Sequence, residues 1–240
     1  MNAPFRRRWL CLGLLPFLLS SCQSARMAIP AELESRSDVY PCIGRGGFTL
    51  SETFSFGPYQ VVDVRRGWTR RVAWRILPYE RTSARQQYEF TLLTPSGETW
   101  QGRAAVGVRR ENLKDTLAGG ELTWGLERDV SVAVRFGLAG ATHAWTLLLA
   151  EQTQDAVLNG ILTNGQVSYR IDGTRNLAGT SIPLMENSGY FILDGARRIA
   201  AVDVVNAGSV LFARDLPPAQ RPPLAAAAAA LLLYRDISGD

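Results

Sequence analysis

The sequence predicts a mainly β body: an antiparallel β-sandwich or partly closed barrel with a C-terminal α-helix packed on it. Three observations carry that expectation. Short segments between residues 46 and 213 alternate apolar and polar side chains with period two, as half-buried strands do. Glycine-bearing turn signals such as Asn164-Gly165 and Asp194-Gly195 separate them at hairpin distance. One proline-led run of alanine and leucine, residues 223–235, closes the chain with helical composition.

In chain order, residues 1–21 have the organisation of a secretory signal. Arg6, Arg7 and Arg8 precede an apolar run from Leu10 to Leu19. That run is about ten residues long, half of the roughly twenty that a membrane-spanning helix needs. The segment that follows, Leu19-Ser20-Ser21-Cys22, resembles the lipobox of bacterial lipoproteins, in which an aliphatic residue and two small residues precede a cysteine. Cys11 is a poorer match, because Arg8 and Trp9 stand where the lipobox has an aliphatic and a small residue. The resemblance implies cleavage between Ser21 and Cys22, a diacylglyceryl group on the Cys22 sulfur and a further fatty chain, such as palmitate, on its new amino group. Each buried methylene contributes about 0.8 kcal/mol, so more than one chain makes a stable anchor. Gln23, in place of the aspartate that tends to retain lipoproteins at the inner membrane, leans toward the periplasmic face of the outer membrane.

Residues 22–41 mix charge, proline and polar residues without either period and are expected to form a lipidated tether. A single β-rich periplasmic domain is then expected over residues 42–240. Phe48, Leu50, Phe54 and Phe56 begin the alternation, and YQVVDV, RVAWRIL and QYEFTLL continue it. Pro95-Ser96-Gly97 offers a turn into ETWQGRAAVGV. Val130, Val132, Val134 and Phe136 give the cleanest alternation, opposed by Ser131, Ala133 and Arg135. HAWTLLLAE, VLNGILT, QVSYRID, GYFIL, ARRIAAVDVV and SVLFARDL complete a count of about ten strands. Asn164-Gly165 is expected to close its hairpin with a type I′ turn, and Asp194-Gly195 gives an equally strong hairpin signal. The final apolar run, about eleven residues, is too short to cross a bilayer as a helix, so it is expected against the sheet.

Composition narrows the function. The chain holds 26 Lys+Arg and 22 Asp+Glu, and removal of Arg6, Arg7 and Arg8 with the signal leaves 23 basic residues, a formal charge of +1. Such a balance offers no general attraction to nucleic acid, which is not an expected partner. Lys114 is the only lysine, a bias best explained by GC-rich coding. After processing only Cys22 and Cys42 remain, and an acylated Cys22 leaves Cys42 no intramolecular partner. Cys42 is expected to be a small buried hydrophobe, with an intermolecular disulfide as the alternative.

His143 is the sole histidine and lies beside the apolar WTLLLA run, so a Ser-His-Asp arrangement would have to use it, without any local motif to support that role. Zinc draws heavily on Cys and His, and calcium on acidic loops; neither pattern occurs, and no metal or cofactor is expected. The glycine stretches at 43–47 and 118–120 lack a phosphate-loop lysine and read as turns. Glu52, Asp63, Glu89, Glu98, Glu121, Glu127 and Asp129 lie near β segments, and two of them converging in a cleft would make a glycosidase pair. The sharpest local cluster is Arg65-Arg66-Gly67-Trp68-Thr69-Arg70-Arg71, expected at a hairpin. Arg65, Arg66, Arg70 and Arg71 around Trp68 could grip an anionic headgroup, glycan or carboxylate. Arg109-Arg110 and Arg197-Arg198 are weaker echoes.

The expectation is therefore a lipid-anchored envelope protein, held to the membrane by Cys22, whose non-enzymatic β domain has a binding or structural role toward an envelope protein or glycan. An envelope glycan or lipid hydrolase is the alternative from the enzyme class. A barrel-shaped small-ligand carrier is the third, and it requires an apolar internal cavity.

Overall fold

The computed structural model describes residues 24–45, 53–68, 70–76, 79–117, 120–141, 143–152 and 157–234; side chains are described for these except at 70–82, 110–128 and 152. Ser21, Cys22, Phe48, Leu50 and Glu52 lie outside the described residues.

The chain begins with a short helix α1 (Ala31–Ser35) and strands β1 (Ser37–Ile43), β2 (Phe54–Phe56), β3 (Tyr59–Arg66) and β4 (Arg70–Ile76). Three long strands follow: β5 (Tyr79–Leu93), β6 (Thr99–Leu117) and β7 (Gly120–Leu138). Next come β8 (Trp145–Gln152), β9 (Val157–Thr163), β10 (Ser168–Thr174), β11 (Gly189–Asp194), β12 (Arg197–Asp203) and β13 (Ser209–Ala213). Helix α2 (Arg221–Leu233) comes last, starting two residues before the expected point, with two prolines in its first turn.

All thirteen strands belong to one sheet, ordered β3-β2-β1-β13-β12-β11-β10-β9-β8-β7-β6-β5-β4, and β3 pairs with β5 to close it into a twelve-strand antiparallel barrel. Within the ring, closure removes the unpaired edges that a sandwich would leave. Strand β4 stands outside the ring. It pairs with the first half of β5, from Arg70↔Arg85 to Ile76↔Tyr79, and runs on from β3 past the rim. With the far ends of β5, β6 and β7 it makes a four-stranded arm. Pairing of β7 with β8 stops at Ser131, so the arm carries about ten residues of β7, roughly 33 Å at the rise of a strand.

The helix occupies the barrel. Its neighbours include β12 and, six strands away around the ring in either direction, β6, together with β5 and β7. Every residue from Pro223 to Leu233 is buried, so the helix has no wet face. The inward residues of the wall form one continuous core with it: Tyr88, Phe90 and Leu92 of β5, Val130 to Phe136 of β7, Leu147, Leu162, Tyr169, Ile192, Val202 and Phe212. Geometry explains the alanines. Twelve strands spaced about 4.8 Å and tilted about 40° give a wall of about 12 Å radius, too wide for wall side chains alone to fill. An alanine helix is slim enough to leave a layer for the phenylalanines, tyrosines and leucines of the wall, whereas a leucine-faced helix would overfill it. Phe90 needs the same economy from its neighbour, because a Cβ on Gly102 would lie 2.3 Å from its ring.

The wall also holds the helix end. Tyr88 Oη donates to the Ala230 carbonyl at 2.8 Å, Arg45 Nε to Leu232 at 2.9 Å and Arg66 Nη2 to Leu233 at 2.9 Å. The two arginines satisfy carbonyls that the last turn leaves open, Tyr88 adds a second donor to Ala230, and the guanidinium groups meet the negative end of the helix dipole. Burial pushes the Tyr88 hydroxyl well above the usual tyrosine range, which keeps it a donor.

The expected tether differs from what is observed. From Ala25 onward the segment is fastened to the body: Met27 and Leu33 pack with Phe191, Leu193, Ala201 and Leu211 in a second, outer core. β1 then pairs with β13 from Ser37↔Ala213 and with β2. The physical reason is that apolar side chains of β11–β13 face both ways, and Met27, Ile29 and Leu33 cover the outer set. Asp203 binds the strap through its carboxylate, accepting from Met27 N at 3.1 Å and Val205 N at 2.9 Å. Burial nevertheless holds the Asp203 carboxyl above the ordinary range, opposed by those two amides. Cys42 is buried, with its thiol pushed up to about 11 by desolvation, an inert environment for a cysteine.

The two hairpin signals stand where expected, with different turn chemistry. Thr163 pairs with Ser168, so the loop has four residues, and only Gly165 has positive φ there. Asn164 Oδ1 accepts from the amides of Gln166 and Val167 instead of taking the left-handed conformation of a type I′ turn. Asp194 pairs with Arg197 around Gly195-Ala196, with φ +58° at Gly195, the glycine-first pattern of a type II′ turn.

Candidate functional site

The arginine cluster at 65–71 is not a hairpin. The chain passes straight from β3 to β4, and both pair with β5, on either side of the break that begins at Gly67-Trp68. Gly67 N donates to the Gln87 carbonyl at 2.8 Å, which keeps the interrupted strand against its neighbour. Period two then sends consecutive arginines to opposite faces. Arg66 points inward, onto the Leu233 carbonyl and over the Tyr88 ring at 5.5 Å, and is committed to the helix. Arg65 points outward, and Trp68 is 99 % exposed. Arg70 and Arg71 are the first residues of β4; their side chains lie outside the described residues.

What Arg65 joins on the outer wall is a row set by strand register. Its partner across β3–β5 is Glu89, whose partner on β6 is Arg103, whose partner on β7 is Arg135. Neighbouring strands lie about 4.8 Å apart, so the four residues span about 14 Å. A β-bulge between Val62 and Arg65 bends β3 at one end of the row. Asp63 sits in that bulge at φ +50°, a left-handed conformation that aspartate tolerates better than most residues.

The bend opens a groove of about 400 Å³ lined by Asp63, Arg65, Glu89, Phe90, Thr91, Gln101, Gly102, Arg103 and Arg135. Three guanidinium groups face two carboxylates there. Arg103 Nε donates to Glu89 Oε1 at 2.7 Å, and both side chains remain substantially exposed. Such a pair contributes little to stability. Among the described residues, Arg65 and Arg135 have no ion-pair partner, so the groove carries cationic donors at both ends of the row. Thr91 and Gln101 add neutral hydrogen-bonding groups between them. Planar guanidinium donors spaced along a trough suit a chain of hydroxyls and carboxylates.

The other sequence candidates disperse. His143 is exposed in the segment joining β7 to β8. Glu98 accepts from Trp100 Nε1 at 3.4 Å near the opposite rim, and Asp129 is exposed where the arm leaves the barrel. The side chains of Glu121 and Glu127 lie outside the described residues. Asp63 and Glu89 do converge, on the same groove. Among the described residues no three of His, Cys, Asp and Glu gather as metal ligands, and no helix is long and apolar enough to cross a membrane.

Sequence reasoning missed Arg103 and Arg135. One signal could have found Arg103: a hairpin centred on Ser96 pairs residues whose numbers sum to 192, which sets Glu89 against Arg103. Arg135 was hidden by a second bulge, at Glu111/Asn112, which shifts the count between β6 and β7 by one residue. Comparison of the chain with protein-family models, with curated proteins and with solved structures finds no match.

Proposed function

We propose that the protein is a lipid-anchored envelope lipoprotein, tethered through Cys22 at the periplasmic face of the outer membrane, whose barrel binds an anionic, carboxylate-bearing envelope glycan on its outer wall. The observation that carries the binding reading is the in-register row Arg65–Glu89–Arg103–Arg135 along a polar groove. Its lining favours a hydroxylated polyanion over a protein partner, because no exposed aromatic or aliphatic anchor stands in it. A small-ligand carrier is disfavoured, since α2 fills the lumen where such a ligand would lie.

The test uses the soluble chain from Gln23 and purified peptidoglycan sacculi. The wild type should co-sediment with sacculi, and less so as salt rises. Arg103→Glu with Arg135→Glu should reduce the bound fraction at least tenfold while leaving the circular dichroism spectrum intact. Equal co-sedimentation of the two proteins would reject the groove.

A hydrolase acting on the same glycan is the second reading, favoured by the convergence of Asp63 and Glu89. It requires release of soluble glycan fragments, lost in Asp63→Asn and Glu89→Gln. Binding without fragment release leaves the non-enzymatic reading.

A further inference from the structure

The chain is fastened to the barrel almost immediately after Cys22. Asn206 Nδ2 donates to the Ala25 carbonyl at 2.8 Å, and Met27 N to Asp203 at 3.1 Å. Arg26 to Ala28 run antiparallel to Asn176 to Ala178, through Ala28 N to Asn176 O and Ala178 N to Arg26 O, both at 2.9 Å. Only Gln23 and Ser24 lie between Cys22 and Ala25, so the Cys22 backbone stays within about 10 Å of Ala25 even if fully extended. The segment that receives this N-terminal stretch opens the connection between β10 and β11.

That connection presents unusual residues to water. Its foot is closed by Ser188 Oγ, which donates to Asn176 O at 2.8 Å, and by Leu184 N, which donates to Arg175 O at 2.9 Å. Beyond the foot the sequence Gly179-Thr180-Ser181-Ile182-Pro183-Leu184-Met185 leaves Ile182 74 % and Met185 88 % exposed. Ile182 is four residues from Ala178, at most about 14 Å along an extended chain. Two large apolar side chains thus stand beside the point at which a lipidated terminus would leave the body.

We propose that the β10–β11 loop is a membrane-seating element: Ile182 and Met185 enter the interfacial layer of the bilayer that holds the acyl chains of Cys22. The inference rests on the anchoring read from Cys22, and it adds an orientation to it. With a leash of two residues, the β10–β11 loop itself is drawn to the lipid surface. Apolar side chains at that surface lose their contact with water without a protein partner. A long linker would leave the barrel free to tumble, whereas two residues restrict its reach.

The test uses the full processed protein in vesicles of phosphatidylethanolamine and phosphatidylglycerol, on a Cys42→Ala background. An environment-sensitive dye is placed through Ile182→Cys, Met185→Cys or, at the opposite rim, Ala196→Cys. Intact mass reports the acylation of position 22 in each preparation. Dyes at 182 and 185 should shift to the blue and be quenched by brominated lipids, while the dye at 196 stays aqueous. Aqueous behaviour at 182 and 185 in protein whose mass shows an acylated Cys22 overturns the seating loop and leaves the anchor standing. A blue shift that tracks protein concentration and ignores brominated lipid also overturns it, in favour of a second copy. An unmodified thiol at position 22 removes the anchor, and the inference with it.

Discussion

The inner and outer faces of β5, β6 and β7 are built from the same strands, yet they obey different rules. Inside, Tyr88, Phe90, Val106, Val132 and Val134 belong to one continuous buried core with an alanine helix. Outside, one residue along, Glu89, Arg103 and Arg135 stand in water with few partners. The inner face is constrained by volume, and the outer face by charge and register. A substitution should therefore act on stability when it points inward and on binding when it points outward.

The largest effect should come from breaking the inner face. Ala228→Glu would bury a charge in the apolar core around the helix, a loss of about 3–5 kcal/mol, a large share of the total stability of a domain. The protein should fail to accumulate or melt far below the wild type. Ala228→Leu is milder but still adverse, by about 1–3 kcal/mol of overpacking.

Next in size is the strap. Asp203→Asn keeps one acceptor and sets a donor against a buried amide, which should cost about 1–3 kcal/mol in denaturant titrations. The pH dependence gives a sign to check. Because the folded state holds the Asp203 carboxyl above its ordinary value, the folded protein retains that proton more readily than the unfolded chain. The contribution is full below the unfolded value and is lost as pH rises through the folded one. The gap between wild type and Asp203→Asn should accordingly narrow from acid toward neutral pH.

Tyr88→Phe sharpens the same comparison by a smaller amount. It removes one bond to Ala230, whose carbonyl still accepts from Tyr234 N at 3.0 Å, so about 1 kcal/mol is expected. Arg135→Ala should be the least costly for the fold, within about 0.5 kcal/mol, while weakening retention on sacculi. If instead it melted the protein and spared binding, the division between the faces would fail.

The legibility of these features followed the same division. Alternation in Val130, Val132, Val134 and Phe136 announced the inner face, because period two is a local property. The proline-led alanine run announced its helix. That the helix lies within the barrel was not legible: the small size of alanine signals close packing but does not name the surface packed against. The row Arg65–Glu89–Arg103–Arg135 depends on four strands and two bulges, and a bulge shifts register without marking the sequence. Within the cluster at 65–71, the neighbours Arg65 and Arg66 fall on opposite faces of β3, which the run of arginines does not mark. Met27 and Leu33 looked like parts of a polar tether because two apolar residues in a charged stretch carry no period.

Helix α2 fills the barrel and makes it a solid body. Native-state hydrogen exchange of the intact chain tests this most directly, with the amides of Ala227 to Leu233 followed beside those of β7 and β12. Helix and wall amides should exchange together, at the slowest rates and with a common dependence on denaturant, because the helix cannot be released without opening the wall. Rapid exchange of the helix while Val132 and Val202 stay protected would mean that the barrel stands without its filling, and would contradict the claim.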